Sequence, residues 1–391
     1  SIPRPASAPG SGPTSRSASA PGPARASAPR SAPASRPAPA SVPPRVPRPA
    51  QLPPPPAHFT GRTSVADALS RALAPERRLG ADVTAVAPVV VIHGMPGVGK
   101  SALALHVAHA LRDRFPDGQL YVDLHGTTPG APPLAPAHAL NSLLRGLGAE
   151  PLRIPEHPDA AAALLRSLLA PTRTLLVLDD AERAAQVRPL LPAGPRCAVI
   201  VTSRSPLTAL DGVHRAPLTP LTGGESAELL RAVSGWDGLD DAHPLVELTG
   251  RLPLALRAVA ARLAARRALT PDLLAHQLAA AESRLPHLEY DDLSVRRSLA
   301  AAYDALNASV READRDAALA LRRIGTLDLP TYDVPLLARL TAADERRAEA
   351  ALDRLVGVAL LEETGYGHYA PHDLVRDYAR ELAVAERASE A

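Results

Sequence analysis

Eight residues in the first third of the chain, Gly94-Met95-Pro96-Gly97-Val98-Gly99-Lys100-Ser101, have the spacing of a phosphate cradle. Glycines let successive backbone N–H groups turn inward around an anion, and the N-terminus of a following helix already favours negative charge. In that arrangement Lys100 brings a compact cation to the β- and γ-phosphates and Ser101 a hydroxyl for Mg2+, while Ala102 opens the helix behind them. Composition sharpens the reading, because Lys100 is the only lysine among 43 Lys and Arg residues. A chain that uses arginine everywhere else keeps lysine where a wide planar guanidinium fits poorly. The metal side of such a cradle needs a carboxylate at the end of a buried strand, and Thr174-Leu-Leu-Val-Leu178-Asp179-Asp180 supplies one. Asp179 is expected to hold Mg2+ through water, and Asp180 to orient or deprotonate the attacking water. Arg204 follows the apolar run Cys197–Thr202 and is placed to read a γ-phosphate, since ligands of open α/β sheets bind beyond the carboxyl ends of the strands.

The elements that must position these groups follow from hydrophobic periodicity. Four short apolar runs, 88–93, 119–124, 174–178 and 197–202, alternate with the amphipathic stretches 102–111, 137–147 and 160–169. Near-continuous apolar strands between helices predict an α/β fold, a parallel sheet covered by helices on both faces, the three-layer architecture of P-loop NTPases. Beyond Leu221 the strands stop, and 222–233, 243–263 and 271–282 read as helices. The stretch from Leu293 onward is mostly helical, with a Gly-Tyr-Gly-His-Tyr segment at 365–369 that suits a β-hairpin and hence a small winged-helix unit. The expected organisation is a Pro/Ala/Ser/Arg-rich disordered linker over 1–57, a nucleotide-binding α/β domain over 58–216, a helical subdomain over 217–290 and a winged helix over 291–391.

Charge and composition narrow the function. The chain of 391 residues carries 43 basic and 41 acidic side chains, a net of +2. Residues 1–57 hold seven Arg, 18 of the 43 prolines and no acidic residue, which leaves about −5 for the rest. A segment so poor in large apolar residues cannot offset its ordering entropy, whereas the folded part lacks the clustered cations of a duplex-binding face. The lone Cys197 excludes an intramolecular disulfide and a multi-cysteine metal site, and reads as a buried strand residue. No apolar run reaches the length of a membrane span, so a cytoplasmic location is expected.

The motifs taken in order resemble a known family. FTGR at 59–62, GMPGVGKS at 94–101, LLVLDD at 175–180, VTSR at 201–204, GRLPLAL at 250–256 and PHDLVRDYA at 371–379 are similar to the NB-ARC module. NB-ARC is a branch of the STAND ATPases shared by apoptosome-forming and plant resistance proteins. FPDGQLYVDLHG at 115–126 and the preceding PAQLPPPPAHFTGR resemble actinobacterial regulators of the AfsR and antibiotic-regulatory-protein (SARP) type. The resemblance implies that Phe59, Gly61 and Arg62 line the adenine side and that Pro253 packs near the base. It also implies that His372 contacts the ADP β-phosphate and clamps the winged helix onto it, with Asp373 bracing the motif. Arg251 stands where many members have glycine, Pro371 replaces Met, and Thr63 stands where Glu is common.

The implied ligands are ATP or ADP with Mg2+, exchanged between an ADP-bound closed state and an ATP-bound open state. Slow hydrolysis would reset the switch, inside what the resemblance implies is a transcriptional regulator. Self-association is implied for the ATP state, and DNA contact only through a domain outside this chain. An ordinary P-loop ATPase and a hydrolysis-deficient, ADP-bound scaffold remain as alternatives.

Overall fold

Runs of Val, Ile and Leu that are too short for helices bury both faces only by pairing in a sheet that helices cover on both sides. The computed structural model, which describes residues 48–73, 86–127 and 132–390, has this architecture. Its first part runs α1 (Thr63–Leu73), β1 (Val89–His93), α2 (Lys100–Leu111), β2 (Gly118–Asp123), α3 (Pro136–Gly146), α4 (Pro158–Leu169), β3 (Thr174–Ala181), α5 (Ala184–Val187), β4 (Ala198–Ser203) and β5 (His214–Pro217). All five strands are parallel, in the order β2-β3-β4-β1-β5. Alternate residues of β1 enter different cores: Val90 and Ile92 pack with α1 and α2, whereas Val89 and Val91 pack on the face of α3 and α4. β5 was not legible, because four residues ending in Pro217 at a sheet edge carry little apolar signal.

The second part is helical: α6 (Gly223–Ser234), α7 (Pro244–Leu248), α8 (Pro253–Ala265) and α9 (Pro271–Ala280). It continues through the two-residue strands β6 (Glu289–Tyr290) and β7 (Leu293–Ser294) to α10 (Val295–Asn307), α11 (Glu312–Ile324), α12 (Val334–Thr341) and α13 (Glu345–Gly357). A hairpin of β8 (Glu362–Gly365) and β9 (His368–Ala370) precedes α14 (Asp373–Glu390). These helices share one continuous apolar core with the α1–α2 face of the sheet. Among the described residues no helix is long and apolar enough to cross a membrane.

Two expectations need correction. The helix expected over 243–263 is broken into α7 and α8, because Gly250 (φ +60°) and Arg251 (φ +53°) take left-handed conformations and Pro253 starts the next helix at its first turn. The linker expected over 1–57 falls outside the described residues as far as 47, but 48–57 lie against the fold. Ala50 forms a parallel bridge with Gln119 on the outer edge of β2. Gln119 N donates to Pro49 O (2.7 Å), Gln51 N to Gln119 O (3.0 Å), and His109 Nε2 meets Pro53 O at 2.8 Å. An edge strand leaves N–H and C=O groups unpaired, and this strap satisfies several of them.

Shortening the chain to begin at His58 removes those bonds, each contributing about 1 kcal/mol. A loss of about 2–4 kcal/mol in urea unfolding is expected relative to a chain beginning at Val46, and equal midpoints would show the strap to be passive.

Candidate nucleotide site

The phosphate cradle lies at the carboxyl end of β1, whose neighbours are β4 and β5, and Gly94, Gly97 and Gly99 all have positive φ. The Lys100 ammonium folds back onto the loop, donating to Gly94 O (2.8 Å) and Met95 O (2.9 Å). Burial, with repulsion from Arg204 and Arg62, lowers its pKa to about 7 despite the opposing pull of Asp180 and Asp179. Of the remaining loop residues, Pro96 and Val98 are buried, and Gly97 O accepts from Leu254 N of α8 at 3.2 Å.

Asp179 sits at the end of β3 between hydroxyls from both neighbouring strands. Ser101 Oγ donates to its Oδ1 at 2.8 Å, Thr202 Oγ1 of β4 makes a short bond to the same oxygen, and Tyr121 OH of β2 donates to Oδ2 at 2.9 Å. A bulge follows, since Leu178 pairs with Val201 but Ala181 with Ser203. Asp180 occupies it with φ +51°, and the bulge re-aims its side chain. Its two carboxylate oxygens accept from Thr127 N (2.7 Å) and Thr127 Oγ1 (2.6 Å). Arg204 stands opposite, its pKa lowered to about 10 by burial against the pull of Asp180. One of its guanidinium nitrogens reaches Ser298 O of α10 at 3.5 Å, while Nη1 is buried without a partner among the described residues.

A second pocket adjoins the cradle. Phe59, Thr60, Arg62, Val98, Gly99, Ala102 and Pro253 line it, together with Pro56, Leu221, Leu229 and Arg257. Phe59 stacks on His106 with ring centres 4.1 Å apart, Arg62 donates to Thr219 O (2.8 Å), and Arg62 N donates to Glu225 Oε1 (2.7 Å). Gly61 packs on Glu225 rather than in the pocket, where its positive φ turns the chain.

His372 is not among the residues lining this pocket. Nδ1 accepts from Leu374 N (3.2 Å), which leaves the proton on Nε2, and Nε2 donates to Gly250 O (3.0 Å). Gly250 is required there twice over: its φ is +60°, and a Cβ would stand 2.5 Å from His372 Cε1.

Residues 58–193 match the AAA ATPase domain family. Regulatory protein AfsR of Streptomyces griseus is 41% identical over 333 residues, covering 84% of this chain and 32% of that protein. Its namesake from Streptomyces coelicolor is 39% identical with the same coverage. The chain is an AfsR-like P-loop ATPase module. It spans about a third of the length of the curated relatives it matches. Among solved structures, a STAND protein with a tetratricopeptide repeat sensor from Pyrococcus horikoshii overlaps 85% of this chain and 44% of its own at 18% identity, TM-score 0.38. The Aeropyrum pernix ORC2 protein, in ADPNP–ADP complexes, overlaps 85% and 96% at 17% identity, TM-score 0.48.

Within this AfsR-like module the structure brings Lys100, Ser101 and Asp179 together at the sheet edge, and Phe59, Arg62 and Pro253 together at the adjoining pocket. It sets His372 on the Gly250 carbonyl. Tyr121, Thr127 and Thr202 went unselected as site residues. Tyr121 and Thr202 were detectable only as hydroxyls in otherwise apolar strands, and Thr127 had no local signal.

The His372 contact has a pH consequence. Burial holds the imidazole below its ordinary 6.5, helped by Arg284 and Arg251 and opposed by the Gly250 bond and Asp373. Below pH 6.5 the unfolded chain therefore binds more protons at this position, and stability falls as pH drops from 6.5 through the lowered folded value. The melting temperature is expected to decline between pH 6.5 and 5, and His372→Gln to flatten that decline. An identical pH profile in the variant would remove His372 as its source.

Proposed function

We propose that the chain is an adenine-nucleotide switch of the NB-ARC kind, with ADP stabilising a closed form, ATP an open form, and slow Mg2+-dependent hydrolysis resetting it. The observation that carries this reading is a single turn, 249–253, between α7 and α8. At one end Pro253 lines the pocket beside Gly99, and in the middle Gly250 O is held by His372. A base in the pocket and the C-terminal helices thus bear on the same five residues. The clamp acts through Gly250 in this form. The domain reading that goes with it places the α/β domain before residue 217, the helical subdomain over 217–290 and a winged helix after 290. The β8–β9 hairpin between α13 and α14 supports the last of these.

The metal side fits Mg2+ by donor chemistry: the Ser101 hydroxyl is a hard ligand, and the Asp179 carboxylate bonded to it at 2.8 Å would hold a water of the ion's shell. Bound there, Mg2+ would neutralise charge building on the β- and γ-phosphates. Lys100 leaves two loop carbonyls to meet phosphate, Asp179 keeps its orientation through its hydroxyl partners, and Arg204 offers an unpaired N–H to the terminal phosphoryl group. Asp180, whose carboxylate is engaged by Thr127, orients the attacking water only if Thr127 yields one of those bonds.

A tenfold preference of each nucleotide for its own form is worth about 1.4 kcal/mol, so complete switching needs several such contacts acting together. In the full regulator this module would gate a DNA-binding part elsewhere in the chain, with self-association in the ATP state.

Two measurements test the reading. Lys100→Ala is expected to abolish ADP and ATP binding in calorimetry, and retained affinity would dismiss the phosphate assignment. Arg204→Ala is expected to weaken ATP about tenfold or more while leaving ADP nearly unchanged, a charge-assisted bond being worth at least ~1.5 kcal/mol. Equal losses for both nucleotides would remove Arg204 as the γ-phosphate reader.

A further inference from the structure

Asp179 accepts three hydroxyl bonds, and their distribution between its two oxygens is unequal. Ser101 Oγ and Thr202 Oγ1 both donate to Oδ1, and Tyr121 OH alone donates to Oδ2. A carboxylate offers about four lone-pair positions, two on each oxygen. The first two bonds therefore fill Oδ1, and Tyr121 leaves one open position on Oδ2. That position is where a water of a metal shell can bind Asp179.

We propose that Tyr121 is a positioning residue for the metal side of the site, its hydroxyl selecting which lone pair of Asp179 faces the cation. The inference rests on the Mg2+ reading of Ser101 and Asp179 given above.

The fold supports it in three ways. Asp179 pairs with Asp123 across β2 and β3, and Tyr121 pairs with Val177, two residues before Asp179. A tyrosine leaning along its strand therefore spans the distance from its own register position to the strand end, where a shorter residue would not reach. The Tyr121 backbone is also fixed, because its N–H donates to Gln51 Oε1 of the strap at 3.3 Å. Third, the hydroxyl is committed as a donor, because the carboxylate oxygen it meets at 2.9 Å can only accept. A ring needed only for packing would leave its hydroxyl free to meet solvent from this half-buried position.

The test is the Mg2+ dependence of nucleotide affinity. A non-hydrolysable ATP analogue is titrated in excess Mg2+ and again in EDTA, and the ratio of the two affinities is compared between wild type, Tyr121→Phe and Asp179→Asn. Phe keeps the ring and removes only the hydroxyl, and its folded state is checked by circular dichroism and melting temperature. The ratio is expected to fall about tenfold in Tyr121→Phe, the size of a lost bond to a charged group. Tyr121→Leu, an apolar side chain with no donor, should show the same fall, so that a folding failure of one variant leaves the other to decide. A ratio equal to wild type in a folded Tyr121 variant, with the ratio lost in Asp179→Asn, would overturn the role of Tyr121 alone. A ratio unchanged in Asp179→Asn as well would overturn the metal reading beneath it.

Discussion

The site depends on one buried carboxylate. Asp179 ends β3 with the flanking strands β2 and β4 on either side and the phosphate loop of β1 beyond, and hydroxyls from all three directions converge on it. A buried carboxylate is tolerable only when such donors replace its water, and three are enough to fix its orientation. The same bonds tie the loop, through Ser101, to the middle of the sheet. Strand order, loop position and side-chain orientation are thereby a single arrangement, because moving β2, β4 or the loop would cost Asp179 a partner.

Much of this was legible from residues alone. The lone lysine, the glycine spacing and the apolar run before Asp179 each report a local requirement that sequence expresses directly. The alternation of strands with helices gave the parallel sheet for the same reason, since burial on both faces leaves its mark on every residue of a strand. What escaped was non-local. Asp180 sits in a bulge that exists only because β3 and β4 pair out of step, and no property of the dipeptide Asp-Asp announces it. Thr127 lies some fifty residues before Asp180, and the broken helix at Gly250 was masked by an apolar pattern that continues through the break.

The resemblance and the geometry each give His372 a hydrogen-bond partner. Motif order implied a phosphate contact, whereas the imidazole here is neutral and bonded to a backbone carbonyl across the helical turn. A neutral histidine can donate to a carbonyl or to a phosphate oxygen through the same Nε2–H. The two arrangements are therefore alternatives for one proton, separated by a displacement of the turn rather than by a change in chemistry. Arg284 pairs with the buried Asp377 of α14 at 2.7 Å and donates to Leu248 O at the end of α7 at 3.3 Å, which ties α14 to the helix before this turn.

The strap along β2 covers part of one edge of the sheet, and the sequence after it adds a second obstacle there. An exposed parallel edge is a template for any passing strand, including another copy of the same chain. Ala50 and Gln51 occupy part of that edge, and the four residues that follow Leu52 are all proline, with no N–H to offer a newcomer. Along this edge the strap and its prolines therefore disfavour the addition of a further strand.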